Sequence, residues 1–319
     1  MSGRRRFALL ILSGLSGLSM HFVYGQDYPA KLVRIITSEP GGGLDIAARL
    51  LAPGLTARLG QQVIVDNRGR LASEVAAKAP ADGYTILLNA SPHWLMPYMR
   101  DNVPWDPVNG FLPVTWVASS PNILVVHPSL PIKTVREFIA LAKARPGEIN
   151  YSSGGVGGSS HLAGALFAAM AKISIVHIPY KGTGPGINDL VGGDVQLMFP
   201  NVASVAQHVK SGRLRALAVT SAQPSVLAPD LPTVAAAGVP GYESEARFAM
   251  FVVSGTPAGI VGRLNREIVA ELRTPAIKER LLAGGTVVVG SSESELDAMM
   301  KSEMARMGKV IKDAGIRSD

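Results

Sequence analysis

The sequence predicts an α/β fold built as two lobes, with a ligand cleft between them. Apolar segments of strand length alternate with helical segments in two successive runs, at 31–90 and 122–220. This alternation is typical of parallel sheets covered by helices. A proline-rich connector at 221–241 leads to a final strand and further helices. Because open α/β sheets bind ligands at the carboxyl ends of their strands, we expect the site between the lobes.

The first run contains three predicted strands and two predicted helices. The strands are predicted over 31–38, 61–67 and 84–90, and the helices over 44–60 and 73–80. Gly60 and Pro80 mark the ends of the two helices. The stretch 92–115 contains Pro92, Pro97, Pro104, Pro107 and Pro113, so it is predicted to be largely irregular.

The second run and the C-terminal part continue the same pattern. Strands are predicted over 122–128, 149–153, 173–180, 194–200, 214–220 and 246–254. Helices are predicted over 134–147, 161–171, 186–193, 201–212, 257–273, 275–284 and 293–314. Thr134 is expected to cap the first of these helices. We see no internal repeat of fixed period.

Composition narrows the class of protein. The chain has 319 residues, of which 47% are hydrophobic, enough for a sizeable core. It contains no cysteine, which excludes disulfides, thiolate metal sites and a cysteine nucleophile. Charged residues are scattered, without a basic stripe interleaved with aromatics, so we expect no nucleic-acid partner. The mild positive excess is compatible with an anionic ligand.

Residues 1–25 are predicted to form a secretory signal peptide. The basic run Arg4–Arg6 precedes an apolar stretch at 7–20, and Val23-Tyr24-Gly25 supplies a cleavage signal. The stretch is too short to be a stable membrane span. Cleavage near Gly25/Gln26 would remove three arginines and no acid, which lowers the formal net charge from +7 to +4. We therefore expect an exported protein.

Three glycine-rich loops, at 38–45, 152–161 and 180–186, each run from a predicted strand into a predicted helix. A helix N-terminus offers unpaired N–H donors and a partial positive charge, and glycine lets an anion approach closely. The alternative is that the glycines make tight turns while Asp45 or Ser159 caps a helix. The loops lack the motif of a P-loop and of a dinucleotide site, so a carboxylate suits them better. Asp45 would repel a close anion, so we expect it to cap its helix or to pair with a ligand amine.

Catalytic and metal sites receive little support from the sequence. Ser160 and His161 are adjacent, but the pattern G-x-S-x-G is missing, and neighbouring helical residues point about 100° apart. The histidines show no metal-ligand spacing, so we expect neither a metal nor a cofactor. His177 is expected to be a hydrogen-bonded core or rim residue. His161 could donate to a ligand carboxylate.

Several segments together resemble the Bug receptors, the periplasmic substrate-binding proteins of tripartite tricarboxylate transporters. The segments are "PGGGLDIAARLLAPGLTARLGQQVIVDNR", "ADGYTILL", "NILVVHPSLPIKTVREFIALAKARPGEINYSSGGVGGSSHLAG", "IVHIPYKGTGPGINDLVGGDVQLMF" and "GRLRALAVTSAQPSVLAPDLPTVAAAGVPGYE". The resemblance covers nearly all of the chain after the signal peptide. It implies a two-lobed, type II periplasmic-binding-protein fold without catalytic activity. It also implies a monomer that captures a small carboxylate and passes it to membrane permease subunits.

The resemblance also implies where the lobes and the site lie. Lobe 1 is expected to comprise 26–123 plus 247–319 and lobe 2 to comprise 124–246, with the packing of the last helix on lobe 2 left open. The ligand-binding residues expected from the two glycine loops, the end of the third strand, the "KGTGP" loop and the distal pocket are Gly41, Gly42, Gly43, Leu44, Asp45, Ser91, His93, Gly157, Gly158, Ser159, Ser160, His161, Lys181, Gly182, Thr183, Asn201, Arg247 and Phe248.

Three positions depart from the pattern of the family. The segment 69–75 is shorter than the glycine-rich segment of relatives, Asn201 follows a proline where an acid is common, and Arg247 replaces an aromatic residue. If Arg247 faces inward, it could bind a second carboxylate. Two other function classes stay open from the sequence: a periplasmic hydrolase that uses Ser160 and His161, and a sensor subunit that feeds a signalling kinase.

Overall fold

The computed structural model describes residues 28–318, so the predicted signal peptide lies outside the described residues. Strands and helices are numbered along the chain. The strands are β1 (Val33–Thr37), β2 (Val63–Asn67), β3 (Thr85–Ala90), β4 (Phe111–Pro121), β5 (Ile123–Val126), β6 (Asn150–Ser153), β7 (Val176–Pro179), β8 (Leu197–Met198), β9 (Arg215–Val219), β10 (Glu245–Val253) and β11 (Val287–Val288).

The described region contains eleven α-helices, the last of which follows all of the strands. They are α1 (Gly43–Leu59), α2 (Ala72–Ala77), α3 (Pro92–Met99), α4 (Val135–Ala144), α5 (Ser159–Ala171), α6 (Thr183–Gly192), α7 (Val202–Lys210), α8 (Val234–Ala237), α9 (Ala258–Leu272), α10 (Pro275–Ala283) and α11 (Glu293–Asp313). Within residues 28–318, no helix has both the length and the apolar content that a membrane crossing needs.

The first sheet has six strands in the order β11-β4-β10-β3-β1-β2. Strands β1, β2 and β3 are parallel, whereas β10 is antiparallel to both β3 and β4. The sheet is therefore mixed rather than parallel throughout, because the chain returns from the second sheet and inserts β10 into the first. This return places Arg247 opposite Ser119, and Phe248 opposite Ala90.

Helix α1 covers the first sheet with an apolar face. It buries Ala47, Ala48, Leu51 and Leu55 at the spacing that places residues on one side of a helix. The helix ends at Gly60, whose φ of 71° is left-handed and suits a glycine better than other residues. Helices α9 and α10 pack beside α1 and complete this part of the core.

The second sheet has five strands in the order β7-β6-β8-β5-β9. Strand β6 is parallel to β7 and β8, and β5 is antiparallel to β8 and β9. Helix α5 is buried along most of its length, with Phe167 packed between Phe138 and Phe199. Tyr151 of β6 fits against Gly164 of α5 so closely that a Cβ at this glycine would lie 2.4 Å from the ring.

The expectation that 92–115 is largely irregular was wrong, because α3 lies entirely within this stretch and β4 begins in it. Pro92 occupies the first turn of α3, where its missing N–H costs nothing. Pro97 leaves the carbonyl of His93 without its helical partner. Trp105 Nε1 donates to that carbonyl at 3.0 Å and replaces the lost hydrogen bond.

Helix α11 contacts elements of both sheets. It packs on β4 and α3 beside the first sheet, and on α5 beside the second. Its buried face carries Leu296, Met300, Glu303, Met307 and Ile311. A Cβ at Gly308 would lie 2.6 Å from the ring of Tyr98, so the helix approaches α3 closely. The C-terminal helix therefore links the two halves of the molecule.

Candidate ligand-binding site

A cavity of about 130 Å³ lies between the two sheets. Its walls come from the end of β3, the start of α3, the tip of α5, the crossing segment before β10, and α11. The lining residues are Ala90, Ser91, Pro92, Gly157, Ser159, Leu162, Glu243, Ser244, Glu245, Ala246, Glu303 and Met307. Two predicted site elements, the end of the third strand at Ser91 and the glycine loop before α5, thus meet at one cavity, together with the crossing segment and α11, which the sequence did not predict there.

The N-terminus of α5 opens onto this cavity. The helix begins at Ser159 after Gly158, and no side chain caps its first turn. Its first N–H groups therefore stay available to an acceptor in the cavity. Gly157 has a φ of 77°, and a Cβ there would lie 3.0 Å from Met99 Sδ. A glycine at 157 lets the loop reach α3 without a clash.

Two histidines fix the loop in front of α5. The N–H of Gly157 donates to His161 Nδ1 at 3.0 Å, and His177 Nε2 lies 2.7 Å from Ser153 Oγ. Burial lowers the pKa of both histidines to about 4, and the charge of His177 lowers that of His161 further. The rings are neutral at pH 7, so His161 accepts from Gly157 at Nδ1 and carries its proton on Nε2.

Ser160 and His161 do not form a catalytic pair. Ser160 Oγ is buried and has no hydrogen-bond partner within residues 28–318. His161 Nδ1 is already engaged by the N–H of Gly157. A serine nucleophile needs a base within hydrogen-bond reach, and the described residues provide none for Ser160.

The first glycine loop is closed by its own aspartate. Asp45 accepts from the N–H of Gly41 at 2.8 Å and from Asn67 Nδ2 at 2.9 Å, and it pairs with Arg49 at 2.9 Å. Burial raises the pKa of Asp45, but the hydrogen bonds from Arg49, Gly41 and Asn67 outweigh it and lower the value to about 2. The carboxylate therefore stays charged and occupies the place that a ligand anion would need at Gly41.

Gly41, Gly42, Gly43, Leu44 and Asp45 do not line the cavity. Gly43 packs against Phe248, because a Cβ at this glycine would lie 3.1 Å from the Phe248 ring. The two glycine tips predicted to grip one anion therefore do not meet in this structure. Only the tip of α5 faces the cavity.

His93 belongs to the core beside the first sheet rather than to the cavity. Its Nδ1 is 2.9 Å from Ser73 Oγ, and its ring stacks on Trp105 with a centroid distance of 6.1 Å. Burial lowers its pKa to about 3. Of the two residues predicted in this segment, Ser91 lines the cavity and His93 does not. In this arrangement His93 does not contact a ligand held in the cavity.

Two other predicted positions also lie away from the cavity. Asn201 caps α7 by accepting from the N–H of Ala203 at 2.8 Å, and it donates to Ser120 and to the carbonyl of Gly285. Lys181, Gly182 and Thr183 are exposed, and the N–H of Gly182 donates to the carbonyl of Gly154 at 3.0 Å. Through this hydrogen bond the exposed loop at 180–186 supports the glycine loop at 152–161, which leads into α5.

Arg247 is buried and faces inward, which was the condition for binding a second carboxylate, but its charge is already paired. Its Nη1 lies 3.0 Å from Glu303 Oε1, and its Nη2 bonds Glu243. Arg306 also pairs with Glu243, at 3.3 Å. The side chain lines a second cavity, of about 170 Å³, with Trp116. Both terminal nitrogens of Arg247 are therefore engaged by carboxylates, and its buried Nε is left without a hydrogen-bond partner within residues 28–318.

Three glutamates at the cavity were not predicted from the sequence: Glu243, Glu245 and Glu303. Burial raises the pKa of Glu245, and the neighbouring Glu243 and Glu303 raise it further against the lowering effect of Arg247. One sequence signal could have found Glu303, which occupies the apolar stripe of α11 between Met300 and Met307. Glu243 and Glu245 lie in the crossing segment, where periodicity gives no signal.

The fold and the cavity define a class. Two α/β sheets enclose a ligand-sized cavity that residues from both halves line, which is the arrangement of periplasmic binding proteins. The chain matches residues 47–316 of its length to the family described as "Tripartite tricarboxylate transporter family receptor". The chain therefore belongs to this family of solute-binding receptors.

Individual relatives agree with this assignment. Protein BugT of Bordetella pertussis (strain Tohama I) is 35% identical over 92% of this chain and 93% of its own length. Rpa4515 of R. palustris, solved with adipate, is 35% identical with a TM-score of 0.75, covering 91% of this chain and 99% of that chain. The periplasmic binding protein BugD is 30% identical with a TM-score of 0.75, covering 92% and 100%. The predicted resemblance to Bug receptors and the predicted fold class are confirmed.

Proposed function

We propose that this receptor captures a small carboxylate between its two lobes and delivers it to the membrane permease subunits of a tripartite tricarboxylate-type transporter. The family supports the role of a receptor. The adipate bound to Rpa4515, a 35% identical relative, supports a carboxylate as the ligand. We propose the periplasm as its location, after cleavage of residues 1–25 near Gly25/Gln26, and a monomer as its working form.

The observation that carries this proposal is the tip of α5 at the cavity. The uncapped first turn at Ser159 presents N–H donors to a cavity that Ser91, from beside the first sheet, also lines. Donors and a helix dipole that converge on a closed space attract a carboxylate. Among the groups that line the cavity, this tip is the one best suited to an anion.

Capture would follow from closure of the two lobes, which we place at 26–123 plus 247–319 and at 124–246. A ligand that touches Ser91 and Ser159 together bridges elements of different sheets. It therefore binds the closed arrangement more tightly than an open one, and this difference in affinity drives closure. Any further contact with the loop at 41–45 would require that loop to move toward the cavity.

We also propose that binding is not followed by catalysis. Ser160 has no base to activate it within the described region, and His161 is held by the loop before α5. Replacement of Ser160 by alanine should leave any background hydrolysis of carboxylic esters unchanged. Turnover that disappears in this variant would identify the protein as a hydrolase.

A thermal-shift screen on residues 26–319 tests the proposal. Small mono-, di- and tricarboxylates, aromatic acids and amino acids are added at increasing concentration to the purified protein. A ligand that binds only the folded state stabilises it by about 2.7 kcal/mol at a hundred times its Kd, so a true ligand raises Tm in proportion to the logarithm of its concentration. Amine and sugar panels without carboxylates serve as controls. A panel in which no carboxylate raises Tm, or in which neutral sugars do, contradicts the proposal.

A further inference from the structure

We propose that the solute held in this cavity carries one carboxylate and, at its far end, an ammonium or similar N–H donor that faces Glu245 and Glu243. A second carboxylate would be rejected. This inference rests on the proposed function, since it names the class of ligand for the same cavity.

The lining of the cavity combines two opposite characters. The uncapped N-terminus of α5 supplies donors, and its first turn also carries Ser160, whose buried Oγ has no hydrogen-bond partner within residues 28–318. Glu243, Glu245 and Glu303 line the other parts of the wall. In the described part of the chain, no lysine, arginine or histidine lines this cavity.

The arginine that could have balanced these carboxylates lies behind them. Arg247 lines the second cavity, on the other side of Glu243 and Glu303, and both of its terminal nitrogens bond those two glutamates. Glu303 also accepts from Ser91 Oγ at 3.2 Å and from Trp94 Nε1 at 3.0 Å. The carboxylate oxygens of Glu303 therefore already accept hydrogen bonds from the protein.

Glu245 is the carboxylate without a cation. Residues 28–318 contain no lysine, arginine or histidine within salt-bridge distance of it, whereas Glu243 has Arg247 and Arg306. Three carboxylates share two guanidinium groups here, and burial together with Glu243 and Glu303 raises the pKa of Glu245, so a ligand ammonium would supply the cation that its ionised form lacks. A ligand carboxylate there would meet like charge with little water to screen it, whereas an ammonium would be attracted.

Matched ligands separate the two possibilities without any mutation. Isothermal titration of residues 26–319 with ε-aminocaproate, caproate and adipate compares an ammonium, a methyl group and a carboxylate on chains of the same length. A shorter set, γ-aminobutyrate, butyrate and succinate, allows for a smaller cavity. We expect the amino acid to bind at least about tenfold more tightly than the diacid in the set that fits.

A variant then assigns the preference to Glu245. Glu245→Gln keeps the shape of the side chain and removes its charge, so it should weaken binding of the amino acid about tenfold and leave the diacid unchanged or tighter. Glu279→Gln, at an exposed position of α10, is the matched control and should change neither affinity. The melting temperature of each variant without ligand shows whether it is folded.

Each outcome decides something. If adipate or succinate binds as tightly as its amino-acid partner, the inference about the ligand class is wrong, while capture of a carboxylate stands. If the amino acids bind best but Glu245→Gln does not weaken them, the ammonium does not face Glu245 and the inference is overturned. If no acid binds in these sets or in the wider carboxylate panel, the proposed function itself fails.

Discussion

The imidazole rings of His161 and His177 lie parallel within 6°, with their centroids 3.8 Å apart. One ring comes from the first turn of α5 and the other from β7. Through His161 Nδ1 and Ser153 they hold both ends of the glycine loop that leads to the cavity. Two charged rings could not remain stacked at this distance, so the arrangement depends on both histidines being neutral.

This stack predicts a loss of stability in acid. The pKa of each histidine falls from 6.5 in the unfolded chain to about 4 in the folded protein. Between these values the unfolded chain binds more protons, so the free energy of unfolding falls as the pH drops from 6.5 toward 4. His177→Phe keeps an aromatic ring and removes one titrating group. We expect the decrease in the free energy of unfolding between pH 7 and pH 4.5, measured by urea unfolding, to be smaller in this variant by about 1–2 kcal/mol. A decrease equal to that of the unmodified protein would contradict this explanation.

The glycine at 157 is predicted to matter for affinity as well as for stability. An alanine there must adopt a φ of 77° and push against Met99 Sδ. Gly212→Ala is the matched control, because Gly212 has a φ of 73° and nothing within 4 Å of the added Cβ. Both variants should lose about 1 kcal/mol of stability. Only Gly157→Ala should also weaken binding of the best carboxylate, by about tenfold, because it shifts the donors at α5. Equal affinities in the two variants would show that the loop does not position the ligand.

The buried pair between Arg247 and Glu303 is predicted to be costly to break. Arg247→Met leaves Glu303 buried without its cation, so it should lower the free energy of unfolding by about 3–5 kcal/mol. The double variant with Glu303→Met should lose less, because no unpaired charge remains. Arg317→Met removes a similar contact with Asp101 at the surface and should cost less than about 1 kcal/mol. Denaturant unfolding of all three variants checks the order, and a double variant worse than the single one would contradict it.

Close packing of α5 predicts a difference between two glycines in helices. At Gly164 a methyl group would lie 2.4 Å from the buried ring of Tyr151. We expect Gly164→Ala to cost about 1–3 kcal/mol through overpacking. Gly262 lies inside α9 with nothing within 4 Å, so Gly262→Ala should gain about 0.5–1 kcal/mol from helix propensity. Thermal unfolding distinguishes the two, and a stabilised Gly164→Ala would show that Tyr151 can move away.

Much of the fold could be predicted from periodicity. Helix α1, predicted over 44–60, spans Gly43–Leu59, and the strand predicted over 246–254 spans Glu245–Val253. The prediction failed at α3 because prolines normally interrupt helices. There the compensation comes from Trp105, which donates to the carbonyl of His93 that Pro97 leaves free. A local pattern cannot reveal a partner that a separate loop supplies.

The site was less predictable than the fold, for a related reason. Loop chemistry pointed to the tip of α5, which lines the cavity, but it gave no warning that Asp45 closes the loop at 41–45. The balance of charge at the cavity depends on Glu303. This residue bonds Arg247, which is 56 positions away in the sequence, and Ser91, which is 212 positions away. Whether an arginine is free or paired is decided by such tertiary contacts, not by its neighbours in sequence.

The position of Glu303 on the last helix has a consequence for the order in which the molecule is completed. During synthesis, every strand of both sheets emerges before residues 293–313 do. Until they emerge, Arg247 lacks one of its two carboxylates and α3 lacks the surface on which it rests. The contacts of α11 that connect the two halves therefore form only when almost the whole chain has been made. A premature stop in this helix would leave a protein with both sheets but without these connecting contacts.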